Sequence, residues 1–277
     1  MRLVVPFLFL LGCPTGDEKN PDVEENLDAD GDGLLDDEEA TYGTDPALAD
    51  SDGDGFDDKD EIDGGYSPIW VYSHPFEYGD YLIGACPEHP DEEAAGPTGT
   101  GEYGSYTWDA YQEGDVMANL INYDKYGQET SLYSFCGNYV LLTQSAEWCG
   151  PCQALADLMA EDMVEVRESY PNFTFYELLY QNNRGGEPNA NVLEDWETSF
   201  NLTGEDDVLG DMIPVVAPED NTTEEMNWIN ASGGIPATLL IAPNGTVIWS
   251  GVDHPREYYI YDTSTILDAI ADYESSL

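Results

Sequence analysis

Asn138-Tyr139-Val140-Leu141-Leu142-Thr143-Gln144-Ser145-Ala146-Glu147-Trp148-Cys149-Gly150-Pro151-Cys152 decides how the rest of this 277-residue chain is read. The run Tyr139 to Leu142 is apolar and short, which suits a strand over Asn138–Gln144 that is buried on both faces. After the cysteines, Leu155, Leu158, Met159, Met163 and Val166 fall on one face of a helix. A C-x-x-C pair that leaves a buried strand and opens a helix reads as a redox pair. Cys149 stands at the helix N-terminus, where the dipole and free N–H groups favour a thiolate, and Cys152 lies one turn further in. Cys149 is therefore the expected nucleophile and Cys152 the resolving thiol. A zinc knuckle would need a second ligand pair, and Cys86 and Cys136 lack knuckle spacing.

Outward from this stretch, an α/β domain is expected over residues 111–277. Phe173–Leu179 reads as a second core strand, and 181–234 as a long crossover with a helix over Val192–Phe200. Ala237–Ala242 and Thr246–Ser250 read as a hairpin turned at Pro243-Asn244-Gly245. A last helix is expected over Ser264–Ser275, with Ile266, Leu267, Ile270 and Tyr273 at helical spacing.

The cysteine motif, its preceding strand and Gly233-Gly234-Ile235-Pro236-Ala237-Thr238 resemble thioredoxin. The resemblance implies a thioredoxin-like α/β fold, a central mixed sheet flanked by helices. It also implies a cis bond at Pro236 facing the cysteines, and Trp148, Cys149, Cys152 and Pro236 as the catalytic group. Gly114-Asp115-Val116 through Tyr126-Gly127-Gln128 and Leu132 resembles the N-terminal hairpin of the envelope TlpA-like branch. One departure stands out: the buried carboxylate that accepts a proton in thioredoxin falls at Thr143. Cys152 would then pass its proton to water or to another acid, for which Glu177 is the candidate.

Residues 28–63 hold a repeat: Asp28-Ala29-Asp30-Gly31-Asp32-Gly33 recurs as Asp50-Ser51-Asp52-Gly53-Asp54-Gly55. Each copy satisfies D-x-D-x-D-G-x5-E. Alternating acids point inward, glycine allows the sharp turn, and a final glutamate closes on a hard cation. The expected calcium ligands are Asp28, Asp30, Asp32, the Leu34 carbonyl, Asp36 and Glu39. In the second loop they are Asp50, Asp52, Asp54, the Phe56 carbonyl, Asp58 and Glu61. Tyr42-Gly43-Thr44-Asp45-Pro46 between the loops resembles the thrombospondin type 3 family, which implies a compact module over 28–65 wrapped around its ions. Nothing there offers a hydrophobic groove to expose, so a calcium-stiffened spacer is expected before a calcium switch.

The chain opens with Met1-Arg2, an apolar stretch Leu3–Leu11, then Gly12-Cys13 and a polar run. The stretch is too short to span a bilayer, and a small residue before Cys resembles the bacterial lipobox. That implies a signal peptide over 1–12, acylation of Cys13 and a flexible tether over 13–27. Lipid would be the only membrane anchor, in a cell envelope, with the outer membrane favoured by Pro14. The four remaining cysteines fit export: Cys149–Cys152 redox-active, and Cys86–Cys136 by elimination a structural disulfide. The open alternative makes Cys136 a third redox-active thiol. Residues 66–110, rich in Gly, Pro and Tyr, read as an irregular insert whose Pro87–Gly104 part is a mobile loop. A net charge of -51, with 7 basic residues against 58 acidic ones, argues against nucleic acid as a partner.

The function expected from these features is a thiol-disulfide oxidoreductase, reducing protein disulfides with electrons from a membrane redox partner. No cofactor besides calcium is called for. One alternative is a calcium-dependent envelope scaffold with a non-enzymatic thioredoxin fold. Another is a peroxidase, but its P-x-x-x-T-x-x-C pattern finds Leu142 and Ala146 at the proline and threonine positions.

Overall fold

The computed structural model describes residues 27–79, 81–83, 86, 89–202, 213–219, 225–254, 259–260 and 262–277. The expected signal segment, Cys13 and nearly all of the tether lie outside the described residues. Among the described residues, no helix is long and apolar enough to cross a membrane.

Two short helices, α1 (Asp36–Tyr42) and α2 (Asp58–Gly64), each follow one acidic loop and end on a left-handed glycine, Gly43 or Gly65. A hairpin of β1 (Gly99–Tyr103) and β2 (Tyr106–Ala110) comes next, then a second of β3 (Ile121–Tyr123) and β4 (Glu129–Ser131). After a 3-10 turn over Leu132–Phe135 the chain enters β5 (Tyr139–Ala146), α3 (Gly150–Arg167) and β6 (Phe173–Gln181). The crossover carries α4 (Ala190–Ser199), β7 (Val215–Val216) and α5 (Glu225–Trp228). The domain closes with β8 (Ala237–Ile241), β9 (Val247–Ser250) and α6 (Thr263–Ser276).

The five later strands form one sheet in the order β7-β6-β5-β8-β9. β5, β6 and β7 run parallel, while β8 and β9 are antiparallel. A parallel pair needs a long crossover, and α3 supplies it between β5 and β6. All of β5 is buried because both faces of the sheet are covered, so the strand shows an apolar run with no alternation. Side chains alternate between the faces. Tyr139, Leu141, Phe175, Leu179 and Leu240 pack under α3 and α6, whereas Val140, Leu142, Leu178 and Leu239 meet Tyr111, Leu132 and Phe135 on the other side. A parallel strand–helix–strand unit joined to an antiparallel hairpin and closing helix is a thioredoxin-like fold, and the acidic module precedes it.

The insert departs from expectation. Instead of a loop, residues 99–110 form the β1–β2 hairpin, with Gly99 opposite Ala110 and Tyr103 opposite Tyr106. Glycine disguises this strand, and close packing requires it: a Cβ on Gly101 would stand 2.4 Å from Trp108 Nε1. The edge strand β7 was likewise not expected, because two residues are too few to show a period. Cys86 and Cys136 are disulfide-bonded with Cα atoms 5.3 Å apart. Trp70 lies beside that bond, stacked on His89 at 4.1 Å and on Tyr133 at 5.8 Å. In the β3–β4 turn, Lys125 reaches Glu197 of α4 at 2.5 Å, with side-chain exposures of 14% and 0%.

Candidate functional site

Cys149 is the N-cap of α3, and its extended backbone turns the chain out of β5 and into the helix. Pro151 fits the first helical turn because no N–H is needed there. Cys149 and Cys152 are joined in a disulfide with Cα atoms 5.2 Å apart. The Cys152 N–H donates to Cys149 Sγ at 3.2 Å, so a backbone donor already points at the sulfur where negative charge would form. Cys149 keeps 4% of its surface and Cys152 none, so of the two only Cys149 meets solvent. Across from it, the Ile235–Pro236 bond is cis, and the Ile235 carbonyl oxygen lies 3.6 Å from Cys149 Sγ. Trp148 is half exposed and donates its Nε1–H to Gln181 Oε1 at 3.1 Å, which sets the indole on the rim of the site. The structure thus brings Cys149, Cys152 and Pro236 together and leaves Trp148 on the rim, facing outward.

Beneath the pair lies a buried polar group. Thr143 of β5 is paired in register with Glu177 of β6 and with Thr238 of β8. Alternation puts Thr143 and Glu177 on the sheet face that α3 covers, the face that also holds Cys149 and Cys152. Glu177 is fully buried, accepts the Thr143 hydroxyl on Oε2, and leaves Oε1 without a partner. Burial pushes its carboxyl up to about 7, with the Thr143 hydrogen bond pulling partly back. A carboxylate poised near neutrality can take up and release a proton at physiological pH. Sequence reasoning reached Glu177 only as one candidate; its signal was a single acid inside the apolar run Phe173–Leu179.

In the acidic module, Asp28, Asp30 and Asp32 each bring a carboxylate oxygen within 4.8 Å of the others, as do Asp50, Asp52 and Asp54. Side chain–backbone bonds shape both loops: Gly31 N donates to Asp28 at 2.7 Å, and Gly53 N to Asp50 at 2.7 Å. Asp36 and Asp58 are engaged otherwise, bracing the loops through Ala29 N at 3.0 Å and Ser51 N at 2.8 Å. Glu39 and Glu61 are buried, and Glu39 Oε2, both oxygens of Glu61 and Oδ2 of Asp30, Asp52 and Asp54 lack partners. Burial first and neighbouring aspartates second push Glu61 up to about 9 and Asp52 to about 6, and raise Glu39. Buried carboxylates with free oxygens are costly, and a hard divalent cation would supply the missing partner. With the Leu34 and Phe56 carbonyls at the seventh position of each loop, the donor set is all oxygen and fits calcium. The loops also touch, since Lys59 N donates to Asp32 at 3.2 Å.

The bacterial TSP3 repeat model matches residues 28–49, the first loop and the stretch leading to the second. No curated protein matches the chain. Among solved structures it is similar to a domain of a possible thiol-disulfide isomerase from Cytophaga hutchinsonii. That pair is 17% identical over 60% of this chain and 96% of the other, with a TM-score of 0.44. A thiol peroxidase from Chromobacterium violaceum is 15% identical over 65% and 99%, with a TM-score of 0.42. The exposed lipoprotein thioredoxin of Streptococcus pneumoniae is 17% identical over 56% and 99%, with a TM-score of 0.39. At such identities the likeness is one of fold, and the chemistry rests on the residues described above.

Proposed function

We propose that this protein is a thiol-disulfide oxidoreductase, a reductase of protein disulfides held at the bacterial envelope. The observation that carries the reading is the placement of Cys149: at a helix N-terminus, hydrogen-bonded through sulfur, bonded to Cys152 and opposed by the Ile235 carbonyl. In the reduced protein the Cys149 thiolate attacks a substrate disulfide. A bond forms from Cys149 to one substrate sulfur, the substrate S–S bond breaks, and the other sulfur leaves as a thiolate that water protonates. Cys152 then gives its proton to Glu177 and attacks Cys149 Sγ, which releases the second substrate thiolate and leaves the protein oxidised. Two electrons have passed to the substrate, and a membrane redox partner would return them.

The N-terminal sequence supports acylation of Cys13 as a membrane anchor, and Pro14 after it favours the outer membrane over the inner. The acidic module is read as a calcium-bound spacer: Asp28, Asp30, Asp32, Leu34, Asp36 and Glu39 would hold one ion, and Asp50, Asp52, Asp54, Phe56, Asp58 and Glu61 a second. Calcium there supplies neutralising charge and takes no part in the redox step. The Cys86–Cys136 bond, buried and packed against the Trp70 and Tyr133 rings, is assigned a structural role.

The experiment is a pair of substitutions in the full chain. Cys149→Ser should abolish reduction of insulin disulfides, and Cys152→Ser should accumulate a mixed disulfide that gel electrophoresis without reductant detects. Turnover of Cys149→Ser at the wild-type rate would refute the reading and leave a non-enzymatic scaffold as the better account.

A further inference from the structure

The loop that presents the Ile235 carbonyl to Cys149 is gripped by the β1–β2 hairpin. Glu102 N donates to the Ala231 carbonyl at 3.0 Å, and Trp108 Nε1 donates to the Asn230 carbonyl at 2.7 Å. The Asn230 side chain then folds the loop on itself, accepting from Gly233 N at 2.8 Å and donating to the Gly234 carbonyl at 2.7 Å. Gly233 lies at φ +71°, and a Cβ there would come within 3.1 Å of Tyr103 Cβ, so loop and hairpin are fitted to each other. Between them runs a groove of about 470 Å³, lined by Thr100, Glu102, Tyr103, Ser232, Gly234 and Val252, among others. Gly234 directly precedes Ile235, whose carbonyl oxygen lies 3.6 Å from Cys149 Sγ, so one end of the groove is near the nucleophile. Tyr103, and Tyr106 opposite it at the hairpin tip, are 69% and 76% exposed. Among the described residues no basic side chain lines the groove, and Glu102 is its one carboxylate.

We propose that this groove is a specificity subsite that takes an arginine or lysine side chain next to the cysteine of a polypeptide substrate. It deepens the oxidoreductase reading and rests on it. A guanidinium or ammonium in the groove can pair with the Glu102 carboxylate, while Tyr103, on the opposite face of β1, seats the hairpin on the loop at Gly233. The surrounding field agrees: a chain of net charge -51 draws cationic segments toward a cleft and repels anionic ones. The hairpin therefore does two things, holding the Ile235 loop against Cys149 and reading the residue beside the substrate disulfide.

The test uses the full chain with the Cys149–Cys152 pair reduced. Two peptides of equal length, each with one internal disulfide, carry either Arg or Glu beside both cysteines. Oxidation of the protein is followed by tryptophan fluorescence, to which Trp148 reports. The Arg peptide should react at least tenfold faster than the Glu peptide. Glu102→Arg should reverse or erase that ratio, Tyr103→Ala should shrink it, and Glu194→Gln, an exposed charge on α4, should leave it as in the wild type. Equal rates with the two peptides, or an unchanged ratio in Glu102→Arg and Tyr103→Ala, would overturn the subsite. If the wild type reacted with neither peptide yet with the small neutral disulfide 2,2′-dithiodipyridine, the subsite would fall and the redox pair would stand. Inertness toward all three would bring down the oxidoreductase reading itself.

Discussion

At the scale of single residues, the proposed chemistry rests on a division of labour between Cys149 and Glu177. A surface-touching sulfur at a helix N-terminus can begin an exchange, but the buried Cys152 can finish it only if its proton has somewhere to go. Glu177 offers an unpartnered oxygen on the same face of the sheet and a carboxyl pushed to about 7. Replacing Glu177 with Gln should slow decay of the mixed disulfide by about 100-fold at pH 7, read by quenching the single-turnover reaction with acid. The same residue predicts a stability slope. An ordinary glutamate loses its proton in the unfolded chain near 4.5, while folded Glu177 keeps it to about 7. The folded state thus binds more protons between those values, and stability falls as pH rises through the window and levels above it, by about 3 kcal/mol in all. Urea unfolding of the oxidised protein at pH 5 and pH 8 should show wild type losing more than Glu177→Gln. Equal losses would mean that Glu177 titrates normally. Cys149 and Cys152 were legible from their spacing alone. The Thr143–Glu177 pair was not, because it exists only through the β5–β6 register, and parallel register leaves no mark in local sequence.

At the scale of elements, the sequence was most informative where burial is one-sided. α3 was readable from Leu155, Met159, Met163 and Val166, which face the sheet at helical spacing, but Leu158, expected on the same face, is exposed because it falls at the edge of that stripe. β5 and β6 were readable as apolar runs. β1 was hidden because its packing partner, Trp108, sits on the other strand and β1 itself offers glycine where contact is made. The β3–β4 hairpin was expected only from the resemblance of the stretch from Gly114 to Leu132 to TlpA-like thioredoxins, and the structure shows what holds it down: Lys125 at the turn pairs with Glu197 of α4 in a place from which water is nearly excluded. Burial pushes Glu197 up to about 6, and Lys125 keeps it from rising further. Removing one partner of such a pair leaves a buried charge uncompensated, whereas removing both leaves none. Lys125→Met should therefore cost about 3–5 kcal/mol, and Lys125→Met combined with Glu197→Leu should regain most of it in chemical denaturation. Additive losses in the double variant would show that the two side chains act independently.

At the scale of the whole molecule, charge and calcium have to be separated. Two divalent ions would change a formal charge of -51 by only four units, so calcium cannot stabilise this chain by relieving general repulsion. Salt at physiological strength screens that repulsion over about 8 Å, with or without calcium. What calcium can relieve is local: Glu61 and Glu39, buried against four aspartates each with oxygens that nothing else satisfies. The module meets the rest of the protein through the Phe56–His74 stack at 5.6 Å and the segment leading to Trp70, beyond which the Cys86–Cys136 bond fastens the insert to the domain. Loss of order in residues 28–65 should accordingly stop at that bond. Adding a chelator is expected to raise amide hydrogen exchange and protease cutting across residues 28–65, to leave β5, β6 and α3 as protected as before, and to leave insulin reduction within about twofold of its starting rate. Restoring calcium should reverse the change, while magnesium, which demands tighter octahedral geometry, should do so less well. Identical exchange with and without chelator would mean that the loops hold themselves together unaided, and a parallel loss of protection around Cys149 would mean that the module is part of the redox domain and not a spacer in front of it.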